Sequence, residues 1–386
     1  MKKITDFNVE NKTIILRCDF NVTIKDGKII SDERIISSLP TIKYLINNHA
    51  KVIIMSHLGK IKSKEDLKDN SLFIVYTRLC ELLKNKIIFS STTRGSILED
   101  KINSLKPGEI LLMENTRYED LDGKKESNCD DELSRYWASL GDFFINDAFA
   151  MTHRKHASNY GISKYIPSGI GFLIESELKG LELIINPIRP FTIFMGGAKV
   201  EDKLDYINKL LPKCDCLLLG GGIANSFLNT KFNVGASLYN NEKKDELASL
   251  LNEYNNKIVL PLDFKVKNNN AIVVKDIDEI EDNDIILDLG PKTLSIYKEK
   301  ISNSKTIFLN GTAGKYEEKG FEDGTKTILE SISQSDANTV IGGGDAIASS
   351  EYFKIKDFNF ISTGGGATLS YLSEGKMLCM EDNEIK

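Results

Sequence analysis

From Thr339 to Ser349 the chain reads Thr-Val-Ile-Gly-Gly-Gly-Asp-Ala-Ile-Ala-Ser: a β-branched run, three glycines, then helix-forming residues. That order predicts a buried strand, a turn of unrestricted backbone and a helix start. Glycine lets backbone approach a ligand closely, and a helix N-terminus offers unpaired N–H groups and the positive end of a dipole. The combination suits a phosphate. Asp345, directly after the glycines, is placed either to cap the helix or to hold a magnesium ion bridging phosphates.

The same pattern recurs through the second half. Strands expected over 191–195, 214–219, 285–289, 306–309 and 360–362 run into Gly196-Gly197, Gly220-Gly221-Gly222, Gly290-Pro291, Asn310-Gly311 and Gly364-Gly365-Gly366. Glycines after strand upon strand describe a pocket walled by backbone, and a nucleotide with a polyphosphate tail is the ligand that most needs one.

The first half alternates too, but with different chemistry. Strands are expected over 13–17, 51–55, 86–89, 110–113 and 142–146. Helices are expected over 35–48, 72–84 and 130–140, with Pro40 breaking the first or starting it anew. Alternation of this kind means a parallel sheet covered by helices on both faces, with ligands at the carboxyl ends of the strands. Those ends carry Arg34, His57, Lys60, Arg117 and Arg154. In a chain of net charge −6 such a cluster reads as a site for a small, multiply negative ligand. Between the halves, a helical segment at 176–185 meets Pro187 and Pro190, marking a boundary with the helix as connector.

At 386 residues two domains are the prior, and 41% hydrophobic with 27% charged residues is the composition of a soluble globular protein. The acidic balance argues against general nucleic-acid or membrane-surface binding, and no run reaches the ~18 apolar residues of a membrane span. The start of the chain turns polar too early for a signal peptide. Six cysteines lie scattered with neither a CxxC nor a zinc spacing, as expected of free thiols in a reducing cytoplasm.

Two common nucleotide motifs are excluded. A dinucleotide fingerprint needs a further glycine where Asn225, Ile347 and Leu369 stand, and the segment from Gly311 to Tyr316 is too short for a P-loop and lacks its closing hydroxyl residue. An anion-gripping half joined to a nucleotide-pocket half suits phosphoryl transfer across a closing cleft. Lys199 and Lys203, four apart, share a face if a helix starts there, and either reach the transferring group or form a solvated face with Glu201 and Asp202. A carboxylate acceptor, already ionised near pH 7, explains the missing general base.

Seven runs, Arg17-Cys18-Asp19-Phe20-Asn21, Ser56-His57-Leu58-Gly59, Glu114-Asn115-Thr116-Arg117, Asn146-Asp147-Ala148-Phe149, Gly196-Gly197-Ala198-Lys199-Val200, Gly342-Gly343-Gly344-Asp345 and Ser362-Thr363-Gly364-Gly365-Gly366-Ala367, resemble in kind and order those of phosphoglycerate kinases. The resemblance covers nearly the whole chain. It implies an α/β fold of two lobes, each a parallel-sheet, Rossmann-like three-layer αβα domain, joined by a hinge helix. The boundaries are a phosphoglycerate domain over 1–170, a connecting helix over 171–190, a nucleotide domain over 191–369 and a tail over 370–386 returning to the first domain. It implies reversible transfer between 1,3-bisphosphoglycerate with ADP and 3-phosphoglycerate with MgATP in glycolysis, by a cytoplasmic monomer that binds neither nucleic acid nor membrane.

By position, Asp19 and Asn21 contact the glycerate end of the substrate, while Arg34, His57, Lys60, Arg117 and Arg154 hold its phosphate and carboxyl groups. Arg34, Lys199 and Lys203 serve the transferring group, and Lys203 also binds nucleotide phosphates. Gly220 and Gly221 form part of the wall around the base with Gly290 nearby, and Glu317 bonds the ribose. Asn310, Gly343, Gly344, Asp345 and Ala346 lie at the phosphate end, with Asp345 on Mg2+. The chain departs from the family's usual residues at Lys60 and Ile61 (arginine and proline), at Thr312 and Ala313 (proline and methionine), at Ala346 (threonine) and across Ala150–Thr152. A weakened paralogue acting as a nucleotide or phosphoglycerate sensor is the alternative. An oxidoreductase is a more distant one.

Overall fold

A computed structural model describes residues 1–198, 201–269, 271–377 and 379. The chain forms two compact units, one of Met1–Leu178 with the segment from Lys376 onward, the other of Lys179–Gly375.

The first unit is built on a six-stranded sheet. Its spatial order is Ile87–Ser90, Ile110–Met113, Lys51–Met55, Thr13–Arg17, Phe143–Asn146 and Ser168–Ile170. Every pairing is parallel. Ile14, Leu16, Val52 and Ile54 belong to one apolar cluster and Ile15, Ile53 and Met55 to the other. Burial on both faces is why these strands read as unbroken apolar runs rather than alternating ones.

Helix Glu33–Asn47 runs through Pro40 without interruption, so the expected break does not occur. Proline removes one N–H but leaves the rest of the turn intact, and Ile35, Leu39, Ile42 and Leu45 bury a continuous stripe that holds the helix together. Asn146, at the end of its strand, donates through Nδ2 to Cys379 Sγ (3.4 Å), while Cys379 N–H bonds the Thr152 carbonyl (3.1 Å).

The second unit repeats the parallel plan in the order Ile258–Val259, Cys216–Leu219, Phe191–Met195, Thr306–Asn310, Asn338–Gly342 and Phe360–Ser362. All five pairings are parallel. Ile285–Leu289 does not join this sheet. It pairs antiparallel with Asp263–Asn268, which pairs antiparallel with Ala271–Asp276, in a separate three-stranded sheet. Helix Gly366–Glu374 belongs to this second unit, so the return to the first unit starts at Lys376 rather than at 370.

Candidate functional site

Four neighbouring strands of the first sheet, Ile110–Met113, Lys51–Met55, Thr13–Arg17 and Phe143–Asn146, end on loops that carry the expected anion-binding groups. Asp19 is 5% exposed. It accepts from Arg34, in the first turn of its helix, and through Oδ1 from Asn21 N–H (3.2 Å). Asn21 Oδ1 accepts from Gly59 N–H at 2.8 Å, tying the first loop to the second. The third loop is tied in by Asn115. Its Oδ1 accepts from Leu58 N–H (3.2 Å) and Arg117 N–H (3.0 Å), and its Nδ2 donates to the carbonyls of Leu58 and Asn70. In the sequence Asn115 stands only as one member of the Glu114–Arg117 run; its burial and four side-chain bonds give it a role.

Arg117 Nη1 reaches Asp120 and Ser127, both at 3.1 Å, and its Nε is buried without a hydrogen-bond partner. Arg154 is exposed and donates to His153 Nε2 at 3.0 Å. Lys60 is exposed and forms no ion pair among the described residues. Burial, with Arg154 beside it, holds the pKa of His153 down to about 4. Burial, with Arg117, Arg17 and Arg154 nearby, holds that of His156 down to about 3. Burial and then Arg17, Arg117, His156 and Arg34 push His57 well below its ordinary value. All three rings are therefore neutral near pH 7, and the positive charge of this edge comes from guanidinium groups and the Lys60 ammonium.

The second unit presents a cavity of about 490 Å3 whose lining includes Gly197, Gly221, Gly222, Thr312, Glu317 and Asp345. Its walls are stitched by backbone. Gly197 N–H bonds the Thr312 carbonyl, Gly221 N–H that of Ala313, and Gly222 N–H that of Gly197. A Cβ on Gly311 (φ +87°) would lie 2.2 Å from the Gly196 carbonyl oxygen, so no larger residue fits there. Lys203 Nζ donates to that same oxygen at 2.6 Å. Asn310 Nδ2 donates to the Gly342 carbonyl (2.8 Å) beside Gly343.

Asp345 does not cap its helix. Gly343, at φ +95°, occupies the cap position, and Asp345 lies in the first turn with its side chain exposed. Gly290 lies off the cavity lining; it precedes helix Pro291–Ser302 and packs on the Asp263 carboxyl, while Ile286, Leu287 and Leu289 of the strand before it line the cavity. Gly220 backs the wall, where a Cβ would meet Phe194 and Ala313. Ala346 is fully buried in the apolar core. Gly344 is exposed at the first helical position. Lys199 lies outside the described residues.

The departures at 312–313 have a physical counterweight. Thr325 Oγ1 accepts from the N–H groups of Ala313 (3.2 Å) and Gly314 (3.3 Å), and Ala313 packs into the core. Hydrogen bonds and core packing hold the segment in place.

Fold and comparisons together define the class: a phosphotransferase with a carboxyl group as acceptor. A family model described as phosphoglycerate kinase matches residues 4–376. A phosphoglycerate kinase of Fusobacterium nucleatum is 48% identical over 390 residues, with 98% of each chain covered. One of Macrococcus caseolyticus is 46% identical, covering 98% of this chain and 97% of its own. Among solved structures, phosphoglycerate kinase from Pyrococcus horikoshii OT3 superposes with a TM-score of 0.86 at 33% identity, covering 100% and 99%. That from Coxiella burnetii superposes with a TM-score of 0.85 at 33% identity, covering 98% and 97%. The chain belongs to the phosphoglycerate kinase family. The sensor and oxidoreductase readings find no support in these matches.

Proposed function

We propose that the chain catalyses reversible phosphoryl transfer between 1,3-bisphosphoglycerate with ADP and 3-phosphoglycerate with MgATP, as a cytoplasmic monomer whose lobes close on the reaction. The observation that carries this reading is the convergence of Asp19, Asn21, Arg34, His57 and Arg117 on the ends of adjacent strands in an acidic protein. Arg34, Arg117 and Arg154, with Lys60, would hold the phosphate and carboxyl groups of phosphoglycerate, and Asp19 and Asn21 its hydroxyl end. Lysine at position 60 keeps the charge without the bidentate grip of arginine. On the nucleotide side, Gly220 and Gly221 would form the base wall, Glu317 would bond the ribose, and Lys203, Asn310, Gly343 and Gly344 would meet the phosphates. Ala346 would contribute backbone only, and Gly290 would support the wall from behind.

The residues fit a magnesium ion. No cluster of three metal-ligating side chains occurs among the described residues, but Mg2+ bound with a nucleotide needs only one or two carboxylates beside the phosphates, and Asp345 is an exposed carboxylate at a helix start facing Gly197. When bound, the ion neutralises charge on the phosphate oxygens. The acceptor carboxylate is already ionised, so the work left to this chain is positioning and charge stabilisation, for which Arg34, Lys199 and Lys203 are the candidates.

The test is acyl-phosphate formation from 3-phosphoglycerate and MgATP, read through coupled NADH oxidation. Turnover of about 1–1000 per second, abolished in Arg34→Ala, is expected. Absence of turnover in a folded protein that still binds both ligands would overturn the proposal.

A further inference from the structure

Arg17, the last residue of its strand, has no exposed surface. Its guanidinium is used on three sides. Nε donates to Ser158 Oγ at 3.0 Å, Nη1 to the Cys18 carbonyl, and Nη2 lies 3.2 Å from His57 Nδ1. Ser158 passes the contact on, with Oγ donating to Glu126 Oε1 and N–H to Oε2 at 2.9 Å. Glu126 is itself fully buried, and its carbonyl accepts from Ala157 N–H (3.0 Å). The whole is a buried guanidinium and a buried carboxyl bridged by a hydroxyl, with burial raising the carboxyl's pKa and Arg17 opposing that rise. Two buried charges are retained only when their hydrogen bonds are well satisfied, so a fixed geometry is expected of them.

The direction of these bonds decides the state of the histidine. A guanidinium carries donors only and does not give up its proton. His57 Nδ1 must therefore accept. A neutral imidazole holds one proton, which then sits on Nε2. The polarity is opposite to that of a general-base histidine, whose Nδ1–H is given to a carboxylate so that Nε2 is left bare.

We propose that Arg17, Ser158 and Glu126 are positioning residues that lock His57 as the Nε2–H tautomer, so that the ring offers a hydrogen-bond donor to an anionic group of phosphoglycerate. The inference rests on the reading of His57 as a substrate contact. In the other tautomer a lone pair would face the anion. The arrangement suits a reaction whose acceptor needs no base but whose substrate must be gripped.

The tautomer is read directly by 15N–1H correlation of the imidazole rings in the ligand-free protein. The chain has four histidines, and loss of one set of signals in His57→Gln assigns the fourth ring. The wild type should show a bare Nδ1 and a protonated Nε2; a protonated Nδ1 overturns the proposal without any further variant. Ser158→Ala removes one oxygen and leaves both charges. It should bring the Nδ1-protonated form into view and raise the KM for 3-phosphoglycerate about three- to tenfold, the weight of roughly one hydrogen bond, with the KM for ATP unchanged. Glu126→Gln should act in the same direction. A Ser158→Ala spectrum and KM identical to wild type overturn the positioning role. A changed tautomer with an unchanged KM overturns His57 as a substrate contact, a result that leaves the turnover test of the proposed activity standing.

Discussion

At the scale of single residues, the nucleotide cavity is a place where size matters more than charge. Gly311→Ala places a methyl group against the Gly196 carbonyl oxygen in a backbone conformation that alanine resists. A loss of about 2 kcal/mol or more in urea unfolding is expected, because the Gly196 carbonyl cannot retreat without opening the wall. Lys203→Ala should act on binding more than on stability: it removes the hydrogen bond to the Gly196 carbonyl, should cost about 1 kcal/mol and should raise the KM for ATP; an unchanged KM would show that Lys203 does not meet the nucleotide. The glycines themselves could be read in the sequence, because few residue types tolerate positive φ. Glu126, Ser158 and Asn115 could not: a buried glutamate at a serine and a surface glutamate look alike until the chain is folded.

At the scale of elements, helix Phe172–Ile185 begins against Asp147, whose Oδ1 accepts from the N–H groups of Leu173 (2.9 Å) and Ile174 (3.3 Å). Its Oδ2 is buried without a partner, and burial pushes its pKa from 3.8 to about 7 despite those bonds. The folded protein therefore binds this proton more tightly than the unfolded chain does, and stability falls as pH rises between the two values. Asp147→Asn keeps an oxygen for the helix start and should flatten that part of the pH dependence of the urea midpoint; an unchanged slope would mean the carboxyl stays ionised in the fold. Asp288 of the second unit, raised to about 7 by burial, contributes with the same sign and should leave a residual slope.

Pro40→Ala offers a second check. It restores one N–H inside helix Glu33–Asn47 at an exposed position and should stabilise by about 1–2 kcal/mol, measured as a raised Tm. Parallel alternation was legible because both faces of each sheet are covered, which leaves long apolar runs between helices. The antiparallel sheet was not. Asp263–Asn268 and Ala271–Asp276 mix lysines with β-branched residues, the lysines finding acids such as Asp323, Glu318 and Asp284. Those ion pairs are invisible to periodicity, and Ile285–Leu289 by itself reads like the parallel strands of the same half.

At the scale of the whole molecule, the candidate groups for phosphoglycerate all lie in one unit and those for nucleotide in the other. The two ligands should therefore stabilise separably. At about 100 times its Kd each ligand adds roughly 2.7 kcal/mol to whatever it binds. Arg34→Ala should lose the thermal shift produced by 3-phosphoglycerate and keep that produced by ADP, and Lys203→Ala should show the opposite. A variant that loses both shifts would place the two ligands on one shared group.

The first unit is also assembled from two stretches that lie far apart along the chain. Everything from Lys179 to Gly375 is synthesised before Lys376, Met377 and Cys379 emerge to rejoin residues made some two hundred codons earlier. Until Cys379 is in place, Asn146 Nδ2 and the Thr152 carbonyl lack the partners that seat it in the first unit. A stop codon just ahead of Cys379 would spare the nucleotide cavity and leave the phosphoglycerate unit permanently newborn.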